Sequence, residues 1–176
     1  MKENCYHGTN KSSWENIQKD NQFKFEKRPN HWLGQGVYFF PNDFERAKYW
    51  ANLSEGKKVV LELLIEVSDN ELLNLDTKAD LEKLNLFAEN HDEIFFKLFE
   101  DEGIESGPGE LDEKIYHCIL IDSFLEEFKE YKAVSRTFPS PKSIKPGASR
   151  FLPQERQLNI VDNSLIDISK INVHNV

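Results

Sequence analysis

The chain has 176 residues, of which 39% are hydrophobic and 12% aromatic, and its formal net charge is −9. This length fits one domain, and the apolar fraction supplies a core that a disordered acidic chain would lack. No apolar run approaches the roughly 20 residues of a membrane helix, because Glu62 and Glu66 interrupt the longest one. The two cysteines, Cys5 and Cys118, form neither a disulfide framework nor a Cys-x-x-Cys metal motif. We therefore expect a single cytosolic domain spanning 1–176, with no membrane partner.

Charge is distributed unevenly along the chain. Residues 71–130 are strongly acidic, which is typical of solvated helix faces. By contrast, residues 131–154 contain basic residues and no acidic one. The basic residues there are Lys132, Arg136, Lys142, Lys145 and Arg150. That segment could meet a phosphate despite the acidic total.

Short runs of β-branched and aromatic residues predict six strands. The predicted strands lie at 4–7, 37–40, 59–67, 115–122, 133–138 and 158–161, and 165–168 is a candidate for another. No repeat with a period of 20 to 50 residues is present, which argues against a solenoid or a propeller.

Capping motifs predict two helices that directly follow strands. Ser12-x-x-Glu15 forms a capping box for the first helix. Asn42-x-x-Glu45 plays the same part for the second, which is predicted to run to about Leu53.

The middle of the chain is predicted to be a helical insertion. Apolar residues at three-to-four spacing predict a helix over 80–102, inside an acidic insertion at about 71–113. Residues 138–153 carry four prolines and are predicted to form a long loop. Loops of that length are uncommon unless they are functional or disordered, and we interpret this one as functional.

Two clusters in the first half of the chain are unusual. His7-Gly8 ends the first predicted strand, and Gly34 and Gly36 precede the aromatic strand at 37–40. Alone, the first cluster is more typical of a structural histidine beside a glycine, and the second of a glycine turn that leads into a core strand. A Gly-x-Gly without the remaining dinucleotide fingerprint and a βαβ context does not support a Rossmann site.

Taken together, the order and spacing of the clusters resemble the poly(ADP-ribose) polymerase-like, or diphtheria-toxin-like, ADP-ribosyltransferases. The similarity consists of His-Gly-Thr at 7–9, a short helix, Gly-x-Gly-Val-Tyr-Phe at 34–39 and a helix ending in Ala-x-Tyr at 47–49, and it covers residues 5–51. The resemblance implies an α+β fold with a split, mixed and antiparallel-rich sheet. It also implies NAD as co-substrate, transfer of ADP-ribose with release of nicotinamide, and no metal.

The resemblance assigns NAD contacts residue by residue. His7 matches the histidine that hydrogen-bonds the nicotinamide-side ribose, and the backbone of Gly8 matches the group that grips the nicotinamide carboxamide, with Thr9 beside them. Tyr38 and Tyr49 match two tyrosines whose rings sandwich the nicotinamide, and stacking also favours the positively charged ring.

Two arginines fit the resemblance less directly. Arg46 stands where the polymerase-type members often have a serine that hydrogen-bonds the carboxamide, so it either reaches a phosphate or the acceptor, or is exposed. Arg28 lies in a loop at 24–33 that would form a lid near the pyrophosphate, and His31 and Trp32 in the same loop could cover the adenosine side.

The late strand carries the catalytic glutamate in this family. Alternation places Glu155, Gln157 and Asn159 on one face, and aligning the apolar strand puts Gln157 at the glutamate position. Members without that glutamate are mono-ADP-ribosyltransferases or inactive folds, so chain elongation is not expected. Either Glu155 substitutes for the missing carboxylate, or it is an exposed edge residue.

We therefore expect an NAD-dependent mono-ADP-ribosyltransferase that modifies a macromolecule. RNA or DNA and protein are equally favoured as acceptors, since a basic segment precedes the late strand but contains few aromatic residues. Stand-alone bacterial members of the family act as toxins or in phage defence, which implies an antitoxin protein as a partner. The alternatives are an NAD- or ADP-ribose-binding module, an NAD glycohydrolase, and a relative that removes an RNA 2′-phosphate.

Overall fold

The structure is a computed structural model that describes residues 1–91, 113–139 and 154–176. The strands are β1 (Lys2–Asn10), β2 (Val37–Pro41), β3 (Lys58–Glu66), β4 (Leu72–Asn74), β5 (Ala133–Pro139), β6 (Gln154–Ile160) and β7 (Asn172–Asn175). The α-helices in the described ranges are α1 (Lys11–Asp20), α2 (Phe44–Asn52), α3 (Lys78–Asn90) and α4 (Glu113–Glu127). The α+β prediction is confirmed.

All seven of these strands form one mixed sheet in the order β4-β5-β6-β2-β1-β3-β7. Its β4–β5 pair is parallel, and its other pairs are antiparallel. Among the described residues, no helix combines the length and the apolar character needed to cross a membrane.

The sheet is split between β1 and β2. Strand β1 pairs with β3 over its whole length, but its paired residues with β2 are only Cys5 with Pro41 and Tyr6 with Phe40. Earlier in β2, residues 37–39 pair with β6 instead. From His7 onward, β1 and β2 therefore diverge.

Helices cover both faces of the sheet. On the face covered by α1, a core forms around Trp14, Ile17 and Phe39. On the opposite face, α2 packs through Ala47 and Ala51, while α3 and α4 cover β4 and β5 with a second apolar cluster. We call these the α1 face and the α2 face.

The predicted helix starts are close to the observed ones. Asn10 rather than Ser12 caps α1, since its side chain accepts from Ser13 N. Asp43 rather than Asn42 caps α2 by the same kind of bond to Arg46 N.

One predicted strand is wrong, because residues 115–122 lie in helix α4. Its buried residues recur at helical spacing, as in Cys118, Ile121 and Leu125. The continuous apolar run disguised this period, since such a run is compatible with a buried strand and with a buried helix.

Smaller differences occur elsewhere in the chain. Strands β4 and β7 were not predicted, and the strand considered at 165–168 is replaced by two 3₁₀ turns, Asn163–Leu165 and Ile168–Lys170. Within the predicted insertion at 71–113, the described part contains β4 and α3. The rest of the helix predicted over 80–102, from residue 92, and the proline-rich loop from residue 140 lie outside the described residues.

Candidate active site

His7 bridges the split between β1 and β2. Its Nδ1 lies 2.8 Å from the carbonyl oxygen of Tyr38, and because a carbonyl only accepts, Nδ1 carries the proton. Burial lowers the pKa of His7, against a smaller opposing effect of that hydrogen bond, so the ring is neutral at pH 7. In this state Nε2 is an acceptor, and no hydrogen bond from a described residue reaches it.

Gly8 directs its backbone polar groups into the same split. Met1 and Lys11 flank β1, and both form backbone hydrogen bonds with the residues that flank β3: Met1 with Val67, and Lys11 with the Lys57 carbonyl. The odd-numbered residues of β1 therefore direct their backbone N–H and C=O groups toward β3. Backbone groups alternate along a strand, and the N–H and C=O of Gly8 therefore face β2. Tyr6 is the last residue of β1 that pairs with β2, so Gly8 has no paired residue on that side.

The position of Gly8 also lets α2 approach the sheet. A Cβ at Gly8 would lie 1.9 Å from the carbonyl oxygen of Ala47 and 2.7 Å from the amide nitrogen of Ala51. Both atoms belong to the backbone of α2. Only glycine permits this contact between the strand and the helix.

Tyr38 uses its hydroxyl to fix the glycine-rich turn before β2. The hydroxyl donates to the Gly34 carbonyl at 2.8 Å and accepts from the Leu33 amide at 2.9 Å, and burial raises the pKa of Tyr38. Buried Asn159 supports the same turn, because its Nδ2 donates to the Leu33 carbonyl at 2.7 Å. Tyr38 is therefore held rigidly, and its ring meets the His31 ring edge-on at 5.3 Å.

Glu155 lies at the centre of a buried polar cluster on the α2 face. It is 4% exposed, so it is not the exposed edge residue that the sequence allowed. Its Oε2 forms an ion pair with Arg46 Nε, and its Oε1 accepts from Gln157 Nε2 at 2.6 Å. Arg46 also lies over the Tyr49 ring, 4.8 Å from its centre. Arg46 is thus neither exposed nor free to reach a phosphate in this state.

The structure places the predicted site residues on two faces of the sheet. His7 lies on the α1 face, where its ring packs against Phe23 and Phe39, and alternation puts Thr9 on that face too. Contacts bring together Arg46, Tyr49, Glu155 and Gln157 on the α2 face. Tyr38 shares that face, but its hydroxyl is bound to the glycine-rich turn. Strand β2 lies between His7 and Gly8 on β1 and Glu155 and Gln157 on β6.

Arg28 is not brought to this cluster. It is exposed, and its guanidinium pairs with Glu26 at 3.7 Å. The backbone of Arg28 is tied to the Gln35 side chain by two hydrogen bonds of 3.1 and 2.6 Å, which anchors the loop at 24–33 beside the glycine-rich turn.

One residue beside the cluster was not among the predicted site residues. Arg136 is paired directly with Gln157 across the β5–β6 ladder, and no hydrogen bond or ion pair joins it to a described residue. The sequence placed it only within a basic segment. Strand alternation would have identified it if the register of β5 against β6 had been known.

Other reactive groups are poorly placed for chemistry. Burial raises the pKa of the Cys5 thiol to about 12 and that of Cys118 to about 11, so neither is a nucleophilic thiolate. In the described ranges, no three His, Cys, Asp or Glu side chains are grouped as a metal site would require. A cavity of about 470 Å³ lies beside the part of β3 that does not pair with β7. Its lining includes Lys2, Glu66 and Lys170 and none of the predicted site residues.

Comparisons with known proteins add little to this geometry. No family model matches the chain, and no solved structure matches it. An uncharacterized protein of Methanocaldococcus jannaschii is 39% identical over 44 residues. That stretch covers 25% of this chain and 21% of the archaeal protein.

Proposed function

We propose that the protein is an NAD-dependent mono-ADP-ribosyltransferase of the polymerase-like fold, with its NAD cleft at the split between β1 and β2. The observation that carries this proposal is the divergence of the two strands at His7 and Gly8. The divergence leaves backbone hydrogen-bonding groups directed into a gap between strands, which is uncommon inside a sheet and is typical of a ligand site.

The groups at the split complement the nicotinamide riboside part of NAD. A primary carboxamide has an acceptor oxygen and N–H donors, which match the N–H and C=O of Gly8. A ribose hydroxyl is a donor, which matches the neutral His7 Nε2. Arg46 lies over one face of the half-exposed Tyr49 ring, and the other face is proposed to stack on the cationic nicotinamide ring.

In the proposed reaction, the bond between the ribose anomeric carbon and the nicotinamide nitrogen breaks. The electron pair leaves with nicotinamide, which becomes neutral, and an electron pair of the acceptor forms the new bond to the anomeric carbon. The acceptor loses its proton to solvent, so NAD⁺ and acceptor give ADP-ribosyl-acceptor, nicotinamide and H⁺. Holding the two partners in an aligned pose supplies much of the rate in such a site.

The residue at the family's glutamate position limits the product. Gln157 can orient a ribose hydroxyl, but it cannot balance positive charge as a carboxylate does. The proposed activity is therefore slow and transfers a single ADP-ribose.

The proposed acceptor is a macromolecule, either RNA or DNA or a protein. Arg136 supports an acceptor that carries phosphate or carboxylate, because it is a cation next to Gln157 with no hydrogen bond or ion pair to a described residue. A toxin or phage-defence role with a protein antitoxin remains part of the proposal through the resemblance alone.

A second candidate function is an NAD- or ADP-ribose-binding module without turnover. The observation that favours it is the occupation of both Glu155 oxygens by Arg46 and Gln157. A carboxylate paired in this way offers little stabilisation to a cationic transition state.

The experiment that separates the two candidates measures binding and turnover together. Purified protein is titrated with NAD in a calorimeter. It is also incubated with NAD, alone and with total RNA or a cell lysate as the source of acceptor, while free nicotinamide is followed by chromatography. Binding with nicotinamide release that His7→Ala abolishes supports the transferase or its glycohydrolase form. The matched control is His174→Ala, since His174 lies on β7, which β3 separates from β1, and pairs with Glu62. Binding without release would favour the module, and no binding would refute both.

A further inference from the structure

Glu155 and Gln157 are joined on the α2 face of β6 in an arrangement that separates their roles. Gln157 Nε2 donates to Glu155 Oε1 at 2.6 Å, and Glu155 Oε2 faces Arg46 Nε. The side chains of Arg46 and Glu155 are only 13% and 5% exposed. Protein groups therefore already occupy both oxygens of a nearly buried carboxylate.

The charge of this carboxylate is balanced by Arg46. A carboxylate buried to this degree needs a partner, because water no longer solvates it. Arg46 is restrained in turn by the Tyr49 ring, 4.8 Å from the guanidinium carbon. The pair has no net charge and a fixed position, so Glu155 is a weak electrostatic partner for a cationic sugar.

The same contacts give the Gln157 amide a defined direction. A glutamine amide has two N–H donors and one carbonyl acceptor. Because an N–H is bound to Glu155, the carbonyl Oε1 is turned away from that carboxylate. No described residue donates a hydrogen bond to this oxygen, so it is available to a ligand hydroxyl.

We infer that Arg46 and Glu155 are positioning residues, which act through one hydrogen bond to present the Gln157 carbonyl oxygen to a hydroxyl of the nicotinamide-side ribose. This inference rests on the function proposed above. Gln157 touches the substrate and Glu155 does not, although the sequence offered both residues for the same task. Arg46 does not contact the ribose. It neutralises the Glu155 carboxylate, which in turn orients the Gln157 amide.

The decisive experiment exchanges the two side chains. Gln157→Glu alone sets two carboxylates within hydrogen-bond distance, and because both cannot be ionised together, kcat should fall and its pH profile should change. Glu155→Gln combined with Gln157→Glu restores an amide–carboxylate bond and places the charge at the ribose position. This double variant should turn over NAD faster than wild type by about tenfold or more, since a carboxylate at that position balances the sugar cation.

Two further variants test the positioning role. Gln157→Leu should weaken NAD binding by about three- to tenfold, which corresponds to one neutral hydrogen bond. Arg46→Met should lower kcat more than it raises KM, because it disturbs the direction of the amide rather than the cleft. The matched control is Arg156→Met, which removes a neighbouring ion pair with Glu3 from the α1 face of the same strand.

Each outcome of this series decides the inference. If Glu155 contacts the ribose, the exchanged variant will be inactive while Gln157→Leu keeps wild-type binding, and the inference is wrong. If the wild type binds NAD without releasing nicotinamide, the proposed transferase activity is refuted. The NAD affinities of the variants then still test the inference. In that case the inference requires that Gln157→Leu weakens binding and that the exchanged variant retains it. Melting temperatures identify any variant that fails to fold, and Gln157→Leu then serves as the conservative test.

Discussion

Gly8→Ala is the substitution whose consequence follows most directly from the packing. The added Cβ would lie 1.9 Å from the Ala47 carbonyl oxygen, whereas real Cβ atoms keep at least about 3 Å from other heavy atoms. Strand β1 and helix α2 must therefore separate by about 1 Å, and neither contact atom belongs to a flexible side chain. Overpacking of this kind costs about 1–3 kcal/mol.

For a chain of this length each kcal/mol shifts the melting temperature by about 2–4 °C, so Gly8→Ala should melt about 2–12 °C below wild type. Thermal unfolding followed by circular dichroism measures the shift. Thr9→Ala is the neighbouring control for stability, because alternation places that side chain on the opposite face from α2. Displacement of α2 also moves Arg46 and Tyr49, so calorimetry should find weaker NAD binding. A melting temperature within about 1 °C of wild type would refute the close contact of β1 with α2.

Three further substitutions test the surroundings of the split. Tyr38→Phe removes the hydroxyl that holds the glycine-rich turn and should cost about 1–3 kcal/mol in urea denaturation, while NAD affinity stays near wild type because the stacking ring remains. Asn159→Ala removes a buried donor to the same turn and should cost a similar amount, about 1–3 kcal/mol, with faster proteolysis in the adjoining loop at 24–33. His7→Gln tests pH dependence. Burial lowers the pKa of His7, so below about pH 6.5 the unfolded chain binds a proton that the folded chain does not, and stability falls with the pH. The loss in urea midpoint between about pH 7.5 and 5.5 should be smaller in His7→Gln than in wild type.

The sequence predicted the elements that carry local signals. The first two helices follow strands and begin beside short polar capping residues, and the structure moves each cap by only one or two positions, to Asn10 and Asp43. Strands β1, β2, β3 and β5 were found from their β-branched and aromatic residues, although β1 extends further at both ends. These signals are local, so they can be read without knowing the tertiary structure.

The sequence could not predict features that depend on contacts between distant residues. Helix α4 was mistaken for a strand because its apolar run has no exposed gap to reveal the helical period. The three residues of β4 carry no pattern of their own, and they form a strand because β5 lies beside them. Likewise, the Arg46–Glu155 pair joins residues more than one hundred positions apart, and only the packing of α2 over β6 brings them together.

The separation of His7 from Tyr38 across the sheet has the same origin. From the sequence, both residues were predicted to lie at one cleft. Alternation shows which residues of a single strand share a face, but it does not show which face of β1 corresponds to which face of β2. The register of β1 with β2 fixes this correspondence, since the pairing of Tyr6 with Phe40 sets His7 beside Phe39 on the α1 face. The hydrogen bond from His7 to the Tyr38 carbonyl then links the two faces through the split.

Transfer of labelled ADP-ribose is the direct test of whether the protein is an ADP-ribosyltransferase. The protein is incubated with NAD labelled on the adenylate phosphate, alone and with total RNA or a cell lysate, and products are separated on gels while free nicotinamide is measured. We expect label on RNA or on a discrete protein band, nicotinamide released in equal amount, and loss of both with His7→Ala but not with His174→Ala. Nicotinamide release without a labelled product would indicate an NAD glycohydrolase, and an absence of both label and nicotinamide would show that the protein is not an ADP-ribosyltransferase.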